Sequence, residues 1–109
     1  MPEPQLFASG FNIIDGSYID NFKITSHNVI EHNLGRHHYS YDVSISFSPP
    51  SSTTINSIIA NQLASYFDSS VKIINSSYGT PYQCSMKRLS YSIDNNSLTI
   101  YFEGHAQRV

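Results

Sequence analysis

A chain of 109 residues is one domain's length, long enough to bury a core without metal or disulfide staples. Six Lys and Arg spread along it against eight acidic residues leave a formal net charge of −2, which argues against nucleic-acid binding because no basic groove can follow a phosphate backbone. Aromatics at 13% fall in patterned runs at low net charge, which excludes a disordered chain.

Cys84 is the lone cysteine, so no internal disulfide can form and a reducing compartment is favoured. Met1-Pro2-Glu3-Pro4 has neither the basic nor the apolar region of a signal peptide, and no apolar run is long enough to span a membrane. The expectation is a single soluble, cytoplasmic domain over residues 1–109, with residues 1–4 a flexible tail. The sequons at Asn75 and Asn95 are read as accidental.

Residues 5 to 14, with Leu6, Phe7, Phe11, Ile13 and Ile14 interrupted by Ser9-Gly10, suit a short or bulged edge strand closed by Asp15-Gly16. In 37 to 47, Tyr39, Tyr41, Val43, Ile45 and Phe47 alternate with Ser40, Asp42, Ser44 and Ser46, the period of a strand with one buried face. Phe22, Ile24 and Ile30 share a parity in the preceding run, and Asn33-Leu34-Gly35-Arg36 offers a turn. Pairing His32 with His37 sets Ile30 against Tyr39, Ile24 against Ile45 and Phe22 against Phe47. On the wet face the same register puts His27 opposite Asp42, Glu31 opposite His38 and Lys23 opposite Ser46.

Pro49-Pro50 ends that strand, and Ser51 to Thr54 supply hydroxyls to cap a helix at about 54 to 67. Its apolar stripe is Ile55, Ile58, Ile59, Leu63, Tyr66 and Phe67, and its weak intrinsic propensity makes it depend on docking. A short strand follows at 71 to 76. A final hairpin, 82 to 93 with 97 to 107, turns at Asn95-Asn96 and pairs Ile93 with Leu98, Tyr91 with Ile100, Leu89 with Phe102 and Arg88 with Glu103. A change of apolar parity at Tyr82, Cys84 and Met86 predicts a bulge or sheet edge near Lys87. The fold class is therefore α+β: an antiparallel or mixed sheet of five to six strands with one amphipathic helix on one face, in the order β-ββ-α-β-ββ.

Candidate chemistry competes with plainer readings at every position. His27 with Asp42 has the form of an oriented general base, with Ser26 or Ser44 as nucleophile, but no GxSxG elbow accompanies it and a cross-strand ionic pair explains it as well. Cys84 with His105 is a thiol-imidazole candidate set against a half-buried core thiol. His32, His37 and His38 gather near one turn, without the spacing of a closed zinc site. Arg88 with Glu103 reads as an exposed pair. No metal or other cofactor is expected.

Two functional readings follow. The first is a non-enzymatic association domain that binds another protein or a second copy through an uncovered sheet face or edge strand, with Val29, Tyr101, Arg88 and Glu103 as contact residues. The second is a small enzyme or ligand-binding protein with a pocket between helix and sheet, built on His27 and Asp42.

Overall fold

A computed structural model of the chain describes residues 5–8, 11–36, 38–51, 53–67, 71–74 and 82–107. Its elements in chain order are β1 (Gln5–Ala8), β2 (Phe11–Asn12), β3 (Tyr18–Ile19), β4 (Phe22–Gly35), β5 (His38–Ser48), α1 (Ser57–Ala64) continued by a 3-10 turn (Ser65–Phe67), β6 (Val71–Ile74), β7 (Tyr82–Asp94) and β8 (Ser97–Gln107). The strands form one sheet in the order β2-β1-β6-β7-β8-β5-β4-β3, and every pairing among the described residues is antiparallel. The α+β class and the position of the helix between two groups of strands agree with the sequence. Residues 1–4 lie outside the described residues.

Alternation in β5 acts as expected: Tyr39, Tyr41, Val43, Ile45 and Phe47 are all buried. Leu98, Ile100 and Phe102 of β8 lie opposite Phe47, Ile45 and Val43 and are buried with them. Onto this inner face α1 and its 3-10 turn place Ala60, Leu63, Ala64 and Phe67, with Ile55 just ahead of the helix. The Phe67 and Phe102 rings meet at 5.1 Å between centroids, tilted by 49°, a favourable aromatic arrangement. Leu6, Ile13 and Ile19 complete the same cluster.

The helix is shorter than the periodicity predicts, and its cap is Asn56, whose Oδ1 accepts from the Ile59 N–H at 3.1 Å. Ile58, counted on the apolar stripe, points away and is 73% exposed. Eight residues give about two turns, too short a helix to bury a stripe that wide.

The β4–β5 register differs from the predicted one by two residues up to Ile24, which lies opposite Phe47, and by three beyond Thr25. Val29 lies opposite Val43, Glu31 opposite Tyr41, Ile30 opposite Asp42 and His27 opposite Ile45. Two features account for the difference. Thr25 is bulged between the Ile24–Phe47 and Ser26–Ser46 pairs, so the inward parity passes from Phe22 and Ile24 to His27, Val29 and Glu31. The strand also runs on through Asn33 and Leu34 to Gly35, and the turn lies beyond it, with Gly35 (φ 86°) and Arg36 (φ 52°) left-handed. The unbulged register read from the sequence would place Tyr41 opposite Asn28; in the structure its hydroxyl donates to Glu31 Oε2 at 2.7 Å, satisfying a buried phenol.

The last hairpin turns where predicted, with Asn95 (φ 49°) and Asn96 (φ 58°) both left-handed. Ile93–Leu98, Tyr91–Ile100, Ser92–Thr99 and Ser90–Tyr101 pair as read from the sequence. The bulge comes two residues later than expected, at Leu89, so that Arg88 lies opposite Phe102 and Lys87 opposite Glu103. A third tight turn, Asp20-Asn21 with φ of 51° and 70°, joins β3 to β4; its signal in the sequence is two residues that tolerate the left-handed region.

Candidate functional site

The outer face of β4, β5, β8 and β7 carries no helix or strand among the described residues. Register alone builds it in rows across the four strands. One row is Ser26, Ser46, Thr99 and Ser92; the next is Asn28, Ser44, Tyr101 and Ser90; the third is Ile30, Asp42, Glu103 and Lys87. The first row is all hydroxyls, and Ser46 and Thr99 bond to each other at 2.8 Å. Three large apolar side chains stand up from this polar ground, Ile30, Tyr101 and Leu89, at 47%, 41% and 53% exposure. With Asn28, Asp42 and Ser44 they line a shallow groove of about 250 Å³.

Asp42 and Glu103 lie directly opposite each other on this face, an unfavourable arrangement of like charges. Each carboxylate takes a histidine. His32 Nε2 meets Asp42 Oδ2 at 2.8 Å, and His105 Nε2 meets Glu103 Oε1 at 3.0 Å. Lys87 is the strand neighbour of Glu103 on the other side.

The residues nominated from sequence are only partly brought together. His27 and Asp42 are separated, because the three-residue change of register puts them on opposite faces: His27 is half-buried on the inner side, where its Nδ1 meets Asp15 Oδ1 at 2.6 Å. A carboxylate on Nδ1 is the orientation a general base needs, yet no serine hydroxyl among the described residues bonds to the ring. The Cys84–His105 pairing also fails in register, since Ser85 stands opposite His105 while Cys84 pairs with Val71; the Cys84 side chain lies outside the described residues. Arg88 and Glu103 are parted by the Leu89 bulge, and Arg88 Nη1 instead donates to Asn61 Oδ1 of the helix. Val29 is not on the wet face but packs against the core.

Of the histidines near the turn, His32 is engaged by Asp42, His38 lies exposed opposite Gly35, and His37 is outside the described residues. Among the described residues no three His, Cys, Asp or Glu side chains converge as a metal site would require. Of the nominated residues, Tyr101, Glu103 and Asp42 lie on the outer face where they were expected, Tyr101 at its centre. Sequence reasoning missed Ile30 and Leu89, both assigned to the buried face. Their displacement follows from two bulges, which single residues of ordinary type do not announce.

A second exposed apolar group lies on the helix side, where Tyr91 and Ile93 of β7 remain 39% and 43% exposed although they oppose buried Ile100 and Leu98. A wider hollow of about 470 Å³ lies between Tyr18 and Lys23 on one side and Pro49 and Pro50 on the other, with Lys23 its one charged group. No helix among the described residues is long and apolar enough to cross a membrane. Comparisons with protein-family models, with curated proteins and with solved structures find no match to this chain.

Proposed function

We propose that the domain works by association, presenting the outer face of β4, β5, β8 and β7, with its β4 rim, to another protein chain. The observation that carries this reading is the group of Ile30, Tyr101 and Leu89 exposed together on one uncovered face and set in Ser, Thr and Asn. Apolar and aromatic anchors in a neutral polar surround are the composition of a moderately polar protein interface. The carboxylates beside them are each hydrogen-bonded within the chain, Asp42 to His32 and Glu103 to His105. The groove is open and shallow, which suits a protein surface more than a small molecule, since small-ligand sites enclose most of their ligand.

The test is native mass and partner capture with wild type, Tyr101→Asp, Ile30→Lys and, on the helix side, Ile58→Lys. Association weakened tenfold or more by Tyr101→Asp or Ile30→Lys, and unchanged by Ile58→Lys, supports the reading. Association lost only in Ile58→Lys would overturn it, as would a chain that binds nothing but turns over a substrate in a His27-dependent way.

A further inference from the structure

Between the bulge at Thr25 and the irregularity at Leu34, Ser26 to Asn33 stay in unbroken register with Ser46 to Tyr39. On the far side of this stretch no strand pairs among the described residues, since β3 reaches only Phe22 and Lys23. A long regular edge of this kind is a template for strand addition unless something blunts it. Ser26 to Gly35 has no Lys, Arg or Pro to do so. Its one carboxylate, Glu31, receives the Tyr41 hydroxyl, and His27 and His32 are held by Asp15 and Asp42. The open part of β7, beyond the Tyr82–Cys84 stretch that pairs with β6, is different, because it carries Lys87 and Arg88 and is interrupted by the Leu89 bulge. One such long regular stretch among the described residues, used twice, gives a closed two-fold pair, whereas two would give open fibres.

We infer that β4 pairs with β4 of a second copy of this chain, antiparallel and centred on Ile30. This rests on the association reading above and names its partner. A two-fold axis normal to the sheet keeps each face with its own kind, so the strand must centre on a residue, and three centres compete. Centring on Glu31 sets two carboxylates opposite each other, which is unfavourable. Centring on Val29 brings Leu34 of the second copy opposite Ile24, whose backbone already bonds Gly16 and Ser17. Centring on Ile30 avoids both. It places the two exposed Ile30 side chains against each other on the outer face, Asn28 opposite His32, Val29 opposite Glu31 and Ser26 opposite Leu34, with no like charges facing. The outer faces of the two copies then join into one surface across the axis.

The experiment uses the full chain with Cys84→Ser and single cysteines at 29, 30 and 31. Residues directly opposite in an antiparallel pair have Cα atoms about 4.5–5.5 Å apart, within disulfide reach. Mild oxidation is expected to link Ile30→Cys into a dimer and to leave Val29→Cys and Glu31→Cys as single chains. Without the cysteines, native mass at high micromolar concentration is expected at twice the 12.3 kDa chain, falling to the single chain in Ile30→Lys and unchanged in Tyr101→Asp. A cross-link at 29 or 31 in preference to 30 overturns the inference, and so does a dimer that survives Ile30→Lys or is lost in Tyr101→Asp. A single-chain mass with capture of another protein through Tyr101 sinks the self-pairing and leaves the association reading standing; a single-chain mass with no capture sinks both. If Ile30→Lys does not fold, the cysteine scan decides alone.

Discussion

Asn96, at the tip of the β7–β8 turn, accepts a hydrogen bond from the Ile55 backbone N–H at 3.0 Å, while its own amide donates to the Thr53 carbonyl at 2.9 Å. One turn residue thereby ties the approach to the helix onto the sheet, and Ile55 enters the core directly beside the tie. Asn96 also holds a φ of 58°, a conformation that asparagine tolerates better than most residues. Asn96→Gly keeps the turn and removes the two bonds, and should cost about 1–2 kcal/mol from lost hydrogen bonding. Asn96→Ala adds the left-handed penalty of about 1 kcal/mol. Urea unfolding of both variants is the measurement; an Asn96→Gly as stable as wild type would show that the tie contributes nothing.

The Tyr41–Glu31 bond belongs to the observed register, in which the two residues lie directly opposite each other. Removing the hydroxyl in Tyr41→Phe, or the carboxylate in Glu31→Ala, should each destabilise by about 1–2 kcal/mol, because Tyr41 is wholly buried and Glu31 partly so. A double-mutant cycle should return a coupling of at least about 0.5 kcal/mol, as residues in contact do. Additive losses would mean that the two side chains do not meet, and the register would then need revision.

Helix docking offers a sharper contrast between two leucine-sized side chains in one helix. Leu63 is 1% exposed and Ile58 73%. Leu63→Ala should cost about 2–5 kcal/mol, the range for large-to-small changes in an enclosed site. Ile58→Ala should stay within about 0.5 kcal/mol, as surface changes do. Similar losses at the two positions would mean that the helix is rotated about its axis.

These cases mark what was readable in the residues. The alternation from Tyr39 to Phe47 names the core face of β5 without help, since period-2 burial is a property of the strand itself. Asn95-Asn96 likewise announces its turn through the backbone conformation it tolerates. What was not legible is the parity of β4 beyond Ile24, and of β7 before Ser90, because Thr25 and Leu89 are bulged and nothing in a threonine or a leucine says so. Every site residue beyond a bulge moved with it: Val29 inward, Ile30 outward, His27 away from Asp42 and Arg88 away from Glu103. Tyr101, Glu103 and Asp42 lie beyond neither bulge, and all three stayed on the outer face.

Thr25 gives the last test, a deletion within a strand. Removing one residue from a regular strand turns every later side chain to the wrong face. Deleting Thr25 should do the reverse of harm to the pattern, because it joins Ile24 to Ser26 opposite the consecutive residues Phe47 and Ser46. Phe22 and Ile24 stay inward, and so do Val29 and Glu31. What is lost is the local twist of the bulge and the exposed Thr25 side chain itself, and the expected cost is about 1 kcal/mol. Deleting Asn28 instead leaves two residues on one side of the gap and five on the other unable to keep their pairs together. Either Val29 gives up Val43 and Glu31 gives up Tyr41, or His27 and Ser26 slip past Ile45 and Ser46 and break the run into Ile24. That deletion should cost about 3 kcal/mol or more, in the range set by core loss and broken buried hydrogen bonds. Melting and urea midpoints of the two single-residue deletions decide the matter. Equal losses, or a Thr25 deletion that fails to fold, would show that the bulge is not the feature that sets the two faces of β4.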